Sequence, residues 1–308
     1  MSTNPNLIKE LRTKTGAGIL DCKTALSENN DNIEQATDWL RKKGLSVAAK
    51  KSGRIAAEGL IGVSVSENKA SIIEVNSETD FVSRNEVFQI FVKNCCILSL
   101  ESNADIESLN KMKFINSENT VEEELTKNIA TIGENLNIRR IENIILDEDG
   151  LIVSYIHNSV AENLGKIGVI VSLVSKADKV ILKELGKKIA MHIAATKPLS
   201  INVDGLDPKV VENEKEILKE QTLSSGKPEE IADKIVKGRL QKFYQDVVLE
   251  EQTFVMDGKS SIKAVLKQYS DQVGTDISIG NFKILVLGEG IDKEEKDFAS
   301  EVAETVKQ

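Results

Sequence analysis

The sequence predicts an α+β protein built from several modules. Apolar residues in the first 54 positions recur at the spacing of helix faces. A pattern of two strands, a helix and a third strand then occurs twice, and a charged stretch with helical periodicity interrupts the second copy. At 308 residues, the chain also exceeds the length over which one hydrophobic core keeps growing.

Composition and charge favour a globular protein with a protein partner. Apolar residues make up 40% of the chain and charged residues 29%, which is ordinary for a globular protein. The formal net charge of -9 disfavours binding to a nucleic-acid backbone. The three cysteines do not form a disulfide pattern, which fits a reducing compartment. With no visible export signal or long apolar run, we expect a cytoplasmic protein that does not bind a membrane.

Three short helices are predicted at the amino terminus. Polar and glycine-containing segments at residues 15–18 and 29–31 separate them. Asp31 and Glu34 have the form of a capping box, and Gly44 is predicted to end the third helix. The apolar stripes are Leu7, Ile8 and Leu11, then Leu20, Ala25 and Leu26, then Ile33, Ala36, Trp39 and Leu40.

The first core subdomain follows a basic linker predicted at residues 48–54. Apolar residues alternate with small or polar ones in its strands, as is typical of half-buried strands. Ser83 and Glu86 have the form of a capping box and begin an apolar helix, so residues 79–82 form a connector between strand and helix. Its predicted strands are residues 59–65, 70–75 and 136–144.

The second core subdomain repeats this order, since Gly150-Leu151-Ile152 resembles Gly59-Leu60-Ile61. Strands are predicted at residues 150–157, 167–174 and 281–287, with a helix at 178–195. We therefore expect two related three-stranded antiparallel sheets, each with helices on one face.

A helical hairpin is predicted within the second subdomain. Gly226 and Pro228 occur where one helix would end and the next begin. Val211, Ile217 and Leu218 are expected to face Ile231, Ile235 and Phe243, and such an arm could bind a second copy of the chain. The predicted modules are residues 1–54, 55–148, 149–206 with 251–290, the hairpin 207–250, and a carboxy-terminal helical module 291–308.

The sequence predicts no reaction centre. His157 and His192 are the only histidines, and neither lies in a cluster with metal-ligand spacing. The glycines at residues 15–18 and 288–290 lack the Gly-Lys-Ser/Thr ending of a P-loop, and no dinucleotide-binding fingerprint is complete. We therefore expect no enzyme activity, metal, cofactor or bound nucleotide.

Short motifs on successive modules carry a family resemblance. They are Leu11-Arg12 with TGAG at 15–18, DCK at 21–23 with Ala25-Leu26, EVN at 74–76, TDFV at 79–82, IGEN at 132–135, IRR at 138–140, AMH at 190–192 through Lys197-Pro198, GKP at 226–228 and FVM at 254–256. With these motifs in this order, the chain resembles the elongation factor Ts family over essentially its whole length. Residues 113–121 depart from the pattern.

The resemblance implies a fold and a function. It implies an amino-terminal domain like a ubiquitin-associated (UBA) domain, a protruding coiled coil and a carboxy-terminal helix that docks on the partner. The implied partner is elongation factor Tu, a GTPase whose bound GDP is released so that GTP can replace it. Asp80 and Phe81 would wedge into the GTPase domain and disturb its magnesium site.

The resemblance also implies a set of partner-binding residues, for which other interpretations stay open. Asp80 could instead cap the following helix, and Phe81 could lie in the core. An adaptor of ubiquitin type and an enzyme that uses carboxylates are the alternative functions. The implied residues are Lys23, Thr79, Asp80, Phe81, Val82, Ile132, Gly133, His157, Val255 and Met256, whereas His192 is expected to be a buried helix residue.

Overall fold

The computed structural model describes residues 4–15, 17–224 and 229–292 and confirms an α+β fold with two antiparallel sheets. Its helices are α1 Pro5–Thr15, α2 Ile19–Glu28, α3 Ile33–Lys51, α4 Glu86–Ser99, α5 Ile106–Lys111, α6 Val121–Ile132, α7 Lys179–Thr196, α8 Pro208–Ser224, α9 Glu229–Val247 and α10 Ile262–Val273. Its strands are β1 Glu58–Val65, β2 Lys69–Ser77, β3 Asn137–Ile145, β4 Gly150–His157, β5 Leu164–Gly165, β6 Ile167–Val174 and β7 Ser278–Val286.

The amino-terminal helices α1 to α3 enclose a small apolar cluster. Leu11, Leu26 and Ala36 are fully buried in it, as the helical spacing predicts. The prediction for Leu20 was wrong, because this side chain is 78% exposed. Cys22 takes the buried place, since it lies three and four residues before Ala25 and Leu26 on the same face of α2.

Helix α3 differs from its prediction at both ends. Its N-cap is Asn32 rather than Asp31, and the Asn32 side chain accepts a hydrogen bond from the Gln35 amide at 3.0 Å. Gly44 does not end the helix, which continues through part of the predicted linker to Lys51. Gly44 instead faces α6, where an added Cβ would lie 3.7 Å from that of Ala130. This distance is an ordinary van der Waals contact, so Gly44 lies at the interface between α3 and α6.

The first sheet has four strands rather than the three expected. Its order is β3-β2-β1-β5, and the extra strand pairs Leu164 with Gly62 and Gly165 with Ile61. The second sheet has the three expected strands in the order β4-β6-β7. Every pairing between these strands is antiparallel. The connector between β4 and β6 therefore links the two subdomains by adding an edge strand.

The two sheets pack against each other through a shared apolar layer. On β1, Leu60 joins the core beneath α4, whereas the next residue, Ile61, joins the layer between the sheets. The strand is therefore buried on both faces, and the prediction of half-buried strands was wrong here. Gly168 on β6 permits this packing, because an added Cβ would lie only 2.6 Å from Ile61.

A buried ionic network joins the first sheet to the end of β7. The Glu74 side chain is fully buried and accepts hydrogen bonds from Arg139 at 3.1 Å, from Arg140, and from the Gly288 amide at 2.8 Å. Arg140 also donates to the Val286 carbonyl at 2.8 Å. Two motifs of the family resemblance thus supply this network, whose charged side chains contact backbone groups at the end of β7.

Helices α8 and α9 pack against each other as the predicted hairpin. Leu218 and Val236 are buried between them. The predicted inward position of Ile217 was wrong, because this side chain is 40% exposed. The side chain of Ile231, the turn at residues 225–228 and the predicted carboxy-terminal helix lie outside the described residues, and so does Gly16.

Candidate partner-binding surface

An exposed phenylalanine lies on a short 3-10 turn, Asp80–Arg84, between β2 and α4. The Phe81 side chain is 79% exposed, and Asp80 beside it is also exposed. The next residue, Val82, is only 5% exposed and packs into the core of the first subdomain. The turn therefore has a buried anchor directly beside an outward-facing aromatic ring.

Hydrogen bonds on both sides of Phe81 fix the backbone of this turn. Thr79 donates from its amide and its hydroxyl to the Glu134 carboxylate, at 2.9 and 2.6 Å. Ser83 donates to the Asp80 carbonyl at 2.6 Å. The Glu78 carboxylate accepts from the Asn135 amide, also at 2.6 Å. The segment after α6 therefore holds the turn in place.

The cap of α4 differs from its prediction. Asn85 is the N-cap, and its side chain accepts from the amides of Val87 at 2.9 Å and Phe88 at 3.3 Å. Ser83 was therefore the wrong cap. Asp80 does not cap the helix either, and its carboxylate has no hydrogen-bond or ion-pair partner among the described residues. This contradicts the purely structural interpretation of Asp80.

Ile132 and Gly133 end α6 close to the turn. Ile132 is half-buried against the first core, and Gly133 has a φ of +86°, which favours glycine. The Gly133 carbonyl accepts a hydrogen bond from Lys51, so α3 also contacts this corner. The sequence interpretation did not single out Glu134, which holds the turn through Thr79, although it lies in the IGEN motif at 132–135. Its partner Thr79 is 55 residues away, so only the fold brings the two together.

A second group of predicted site residues lies where the hairpin joins the core. Val255 and Met256 are 46% and 43% exposed, on a turn that follows the buried Phe254. His192 on α7 is fully buried, as expected, and its Nδ1 lies 3.3 Å from the Val255 amide. Burial lowers the pKa of His192, whereas its hydrogen bond with Gln252 acts in the opposite direction.

The remaining predicted residues lie on other elements. Lys23 is exposed on α2. His157 is exposed at the end of β4, and its Nδ1 lies 3.0 Å from the Tyr155 hydroxyl. The ten predicted residues thus do not form one pocket but are distributed over several surface elements.

Potential metal ligands are dispersed in the described residues, and the three cysteine thiols are buried. Within residues 4–15, 17–224 and 229–292, no three His, Cys, Asp or Glu side chains are grouped to hold a metal ion. Burial raises the pKa of Cys22, Cys95 and Cys96, which disfavours the nucleophilic thiolate. None of the helices in these ranges is long and apolar enough to cross a membrane.

Comparison with known proteins decides the family. Residues 78–289, which include the Phe81 turn and the hairpin, match the family model described as Elongation factor TS. The chain belongs to the elongation factor Ts family. This confirms the resemblance and makes the protein a translation elongation factor.

Relatives in the elongation factor Ts family match almost the whole chain. The Elongation factor Ts of Rhodospirillum centenum is 50% identical over 297 residues, which is 96% of each chain. Those of Bartonella bacilliformis and Rhizobium meliloti are 47% and 45% identical over 307 residues, which is 100% of each chain. The similarity thus includes the amino-terminal helices, which lie before the part matched by the family model.

Proposed function

We propose that this elongation factor Ts family member is the guanine-nucleotide exchange factor of elongation factor Tu. It binds the GDP-bound GTPase and promotes GDP release so that GTP can rebind, without making or breaking a covalent bond. The observation that carries this proposal is the 79% exposure of Phe81 on a turn whose backbone is fixed at Thr79 and Ser83.

Phe81 has the properties of an interface anchor. Burying a phenylalanine side chain in a partner stabilises a complex by about 1.5–3 kcal/mol. Because Val82 is buried and Glu134 holds Thr79, little conformational freedom remains to be lost when Phe81 docks. The exposed Asp80 carboxylate would enter the partner beside the ring and compete with phosphate oxygens for magnesium.

Mutual displacement follows from linkage between the two ligands. If the factor weakens the binding of GDP to elongation factor Tu, GDP weakens the binding of the factor by the same ratio. The protein then needs no nucleotide site of its own. It needs only a rigid group whose position in the complex is incompatible with the magnesium and phosphate arrangement of bound GDP.

The other predicted contact residues would extend the interface with the GTPase beyond the Phe81 turn. Lys23, His157, Val255 and Met256 are exposed and would bind further surfaces of the same GTPase. The turn is instead built and supported by Thr79, Val82, Ile132 and Gly133.

We further propose that the amino-terminal bundle is UBA-like, that α8 and α9 form a coiled coil, and that this hairpin can pair with a second copy.

Replacing Phe81 by alanine tests the proposal. We expect Phe81→Ala to slow GDP release from elongation factor Tu by about tenfold or more, because a dominant interface side chain is lost. Stopped-flow fluorescence with labelled GDP measures the rate. Stability should be unchanged, because the side chain is exposed.

Val180→Ala is the matched control, since Val180 is 75% exposed at the start of α7 and is not a predicted contact. It should release GDP at the wild-type rate. A GDP-release trace for Phe81→Ala that overlays the wild-type trace would reject the proposed role of Phe81 as a wedge. A wild-type protein that leaves GDP release unchanged would reject the exchange function itself.

A further inference from the structure

A buried hydrogen-bond cluster surrounds His192 where the hairpin joins the core. His192 Nδ1 lies 3.3 Å from the Val255 amide, and Nε2 lies 3.0 Å from Gln252 Oε1. Gln252 donates in turn to the Asp246 carbonyl at 2.8 Å, and Asp246 is in the last turn of α9. One side chain of α7 therefore connects to the hairpin and to the turn that follows it.

The partners of His192 assign its tautomer. The Val255 amide can only donate, so Nδ1 must be the unprotonated acceptor nitrogen. The single proton of the neutral ring then lies on Nε2 and is donated to Gln252 Oε1. The arrangement as built requires a neutral imidazole.

The amide held by His192 belongs to an exposed apolar pair. Val255 and Met256 are 46% and 43% exposed, whereas Phe254 before them is only 5% exposed. The turn closes with a hydrogen bond from the Gly258 amide to the Phe254 carbonyl at 2.8 Å. The apolar pair thus projects from a turn that is anchored on one side by Phe254 and His192.

We propose that His192 is a positioning residue, which fixes the Val255 backbone so that Val255 and Met256 are presented to the GTPase partner. This rests on the proposed function. In this role His192 does not touch the partner, because its side chain is fully buried. It acts through the Val255 amide, which donates a hydrogen bond to His192 Nδ1.

Protonation of His192 would disrupt this contact. A second ring proton on Nδ1 would place two donors against each other at the Val255 amide. The groups in contact with the ring are the Gln252 side chain, the Val255 amide and the Phe254 ring, all of them uncharged. No carboxylate among the described residues therefore stabilises the imidazolium, and burial lowers the pKa of His192 below its ordinary value of 6.5.

Two substitutions of His192 separate positioning from folding. His192→Asn keeps a side-chain acceptor near the Nδ1 position and cannot titrate, whereas His192→Leu removes the acceptor. We expect His192→Leu to raise the factor concentration for half-maximal GDP release by about tenfold, with the rate at saturation unchanged. His192→Asn should stay close to the wild type. Combining His192→Leu with Met256→Ala should cost less than the sum of the two single effects, because both act on one contact.

Hydrogen exchange supplies a measurement that does not depend on the partner. The Val255 amide should be protected in the wild type and in His192→Asn but exchange faster in His192→Leu. On acidification below about pH 6.5, protection should fall in the wild type but not in His192→Asn. The comparison of the wild type with His192→Asn still tests the role of His192 if His192→Leu does not fold.

Equal half-maximal concentrations for all variants, or a Val255 amide that exchanges equally in all of them, would overturn the positioning role. A His192→Leu protein that loses the saturating rate as well would also contradict it. A wild type that does not accelerate GDP release, with the Val255 amide still protected through His192, would instead reject the proposed function and leave the positioning of the turn supported.

Discussion

The amide and the hydroxyl of Thr79 both donate to the carboxylate of Glu134, at 2.9 and 2.6 Å. This contact joins the start of the Phe81 turn to the segment after α6, across 55 residues of sequence. Since hydrogen bonds to a charged acceptor are among the stronger ones in proteins, the two donors give the turn a fixed position. The position of the Phe81 turn therefore depends on a residue from a distant part of the sequence.

Removing Glu134 should loosen the turn. We expect Glu134→Ala to slow GDP release from elongation factor Tu several-fold, because the Thr79 donors lose an acceptor worth about 1.5–3 kcal/mol per bond to a charged group. Stopped-flow release of labelled GDP measures the effect. Glu122→Ala is the control, since Glu122 is exposed on the neighbouring α6. If both variants behave as the wild type, Glu134 does not support Phe81.

Loss of Glu74 should destabilise the joint between the two sheets. Glu74 is fully buried, and its removal leaves Arg139 and Arg140 without their shared carboxylate. We expect Glu74→Leu to lower the free energy of unfolding by about 3–5 kcal/mol, as when one partner of a buried ion pair is removed. Urea denaturation followed by circular dichroism measures the change.

An exposed ion pair between the same sheets supplies the control for Glu74. Lys283 on β7 lies 2.8 Å from Glu142 on β3, and both side chains are more than one third exposed. Lys283→Ala should cost only about 0–1 kcal/mol. Equal losses for Glu74→Leu and Lys283→Ala would mean that the buried network contributes no more than a surface pair.

Contacts close in sequence were predictable, whereas contacts across the fold were not. The strands from Glu58 to Ser77 were predicted nearly to the residue, because alternation and the turn between them are local signals. The cap of α4 was misassigned, because Ser83 and Asn85 are both good capping residues and only the turn geometry decides between them. Gly44 resembled a helix end, although it lies within α3 and faces α6, a helix distant in sequence.

In the candidate site, too, local features were predictable whereas contacts between distant segments were not. Phe81 and Asp80 were singled out because a family motif lies on a predicted connector, and both are exposed there. Their support by Glu134 was missed, since it requires the fold to bring the end of α6 to the turn. The burial of His192 was predicted correctly from its helix, but its contact with Val255 depends on how α7 packs against the segment that follows α9.

The buried His192 should make stability depend on pH. Burial lowers its pKa in the folded state, so below about pH 6.5 the unfolded chain binds a proton that the folded chain does not. The free energy of unfolding should therefore fall as pH decreases from 6.5 towards the lowered folded value, by at most about 1.4 kcal/mol per pH unit. Above pH 6.5 this contribution is fully present.

Urea unfolding between about pH 5 and pH 8 measures this dependence. His192→Asn should have a flatter profile than the wild type, because it removes the titrating group. His157→Asn is the matched control, since it replaces the other histidine of the chain at an exposed position and leaves the His192 environment intact. If the difference between the wild type and His192→Asn is constant across this range, folding does not lower the pKa of His192.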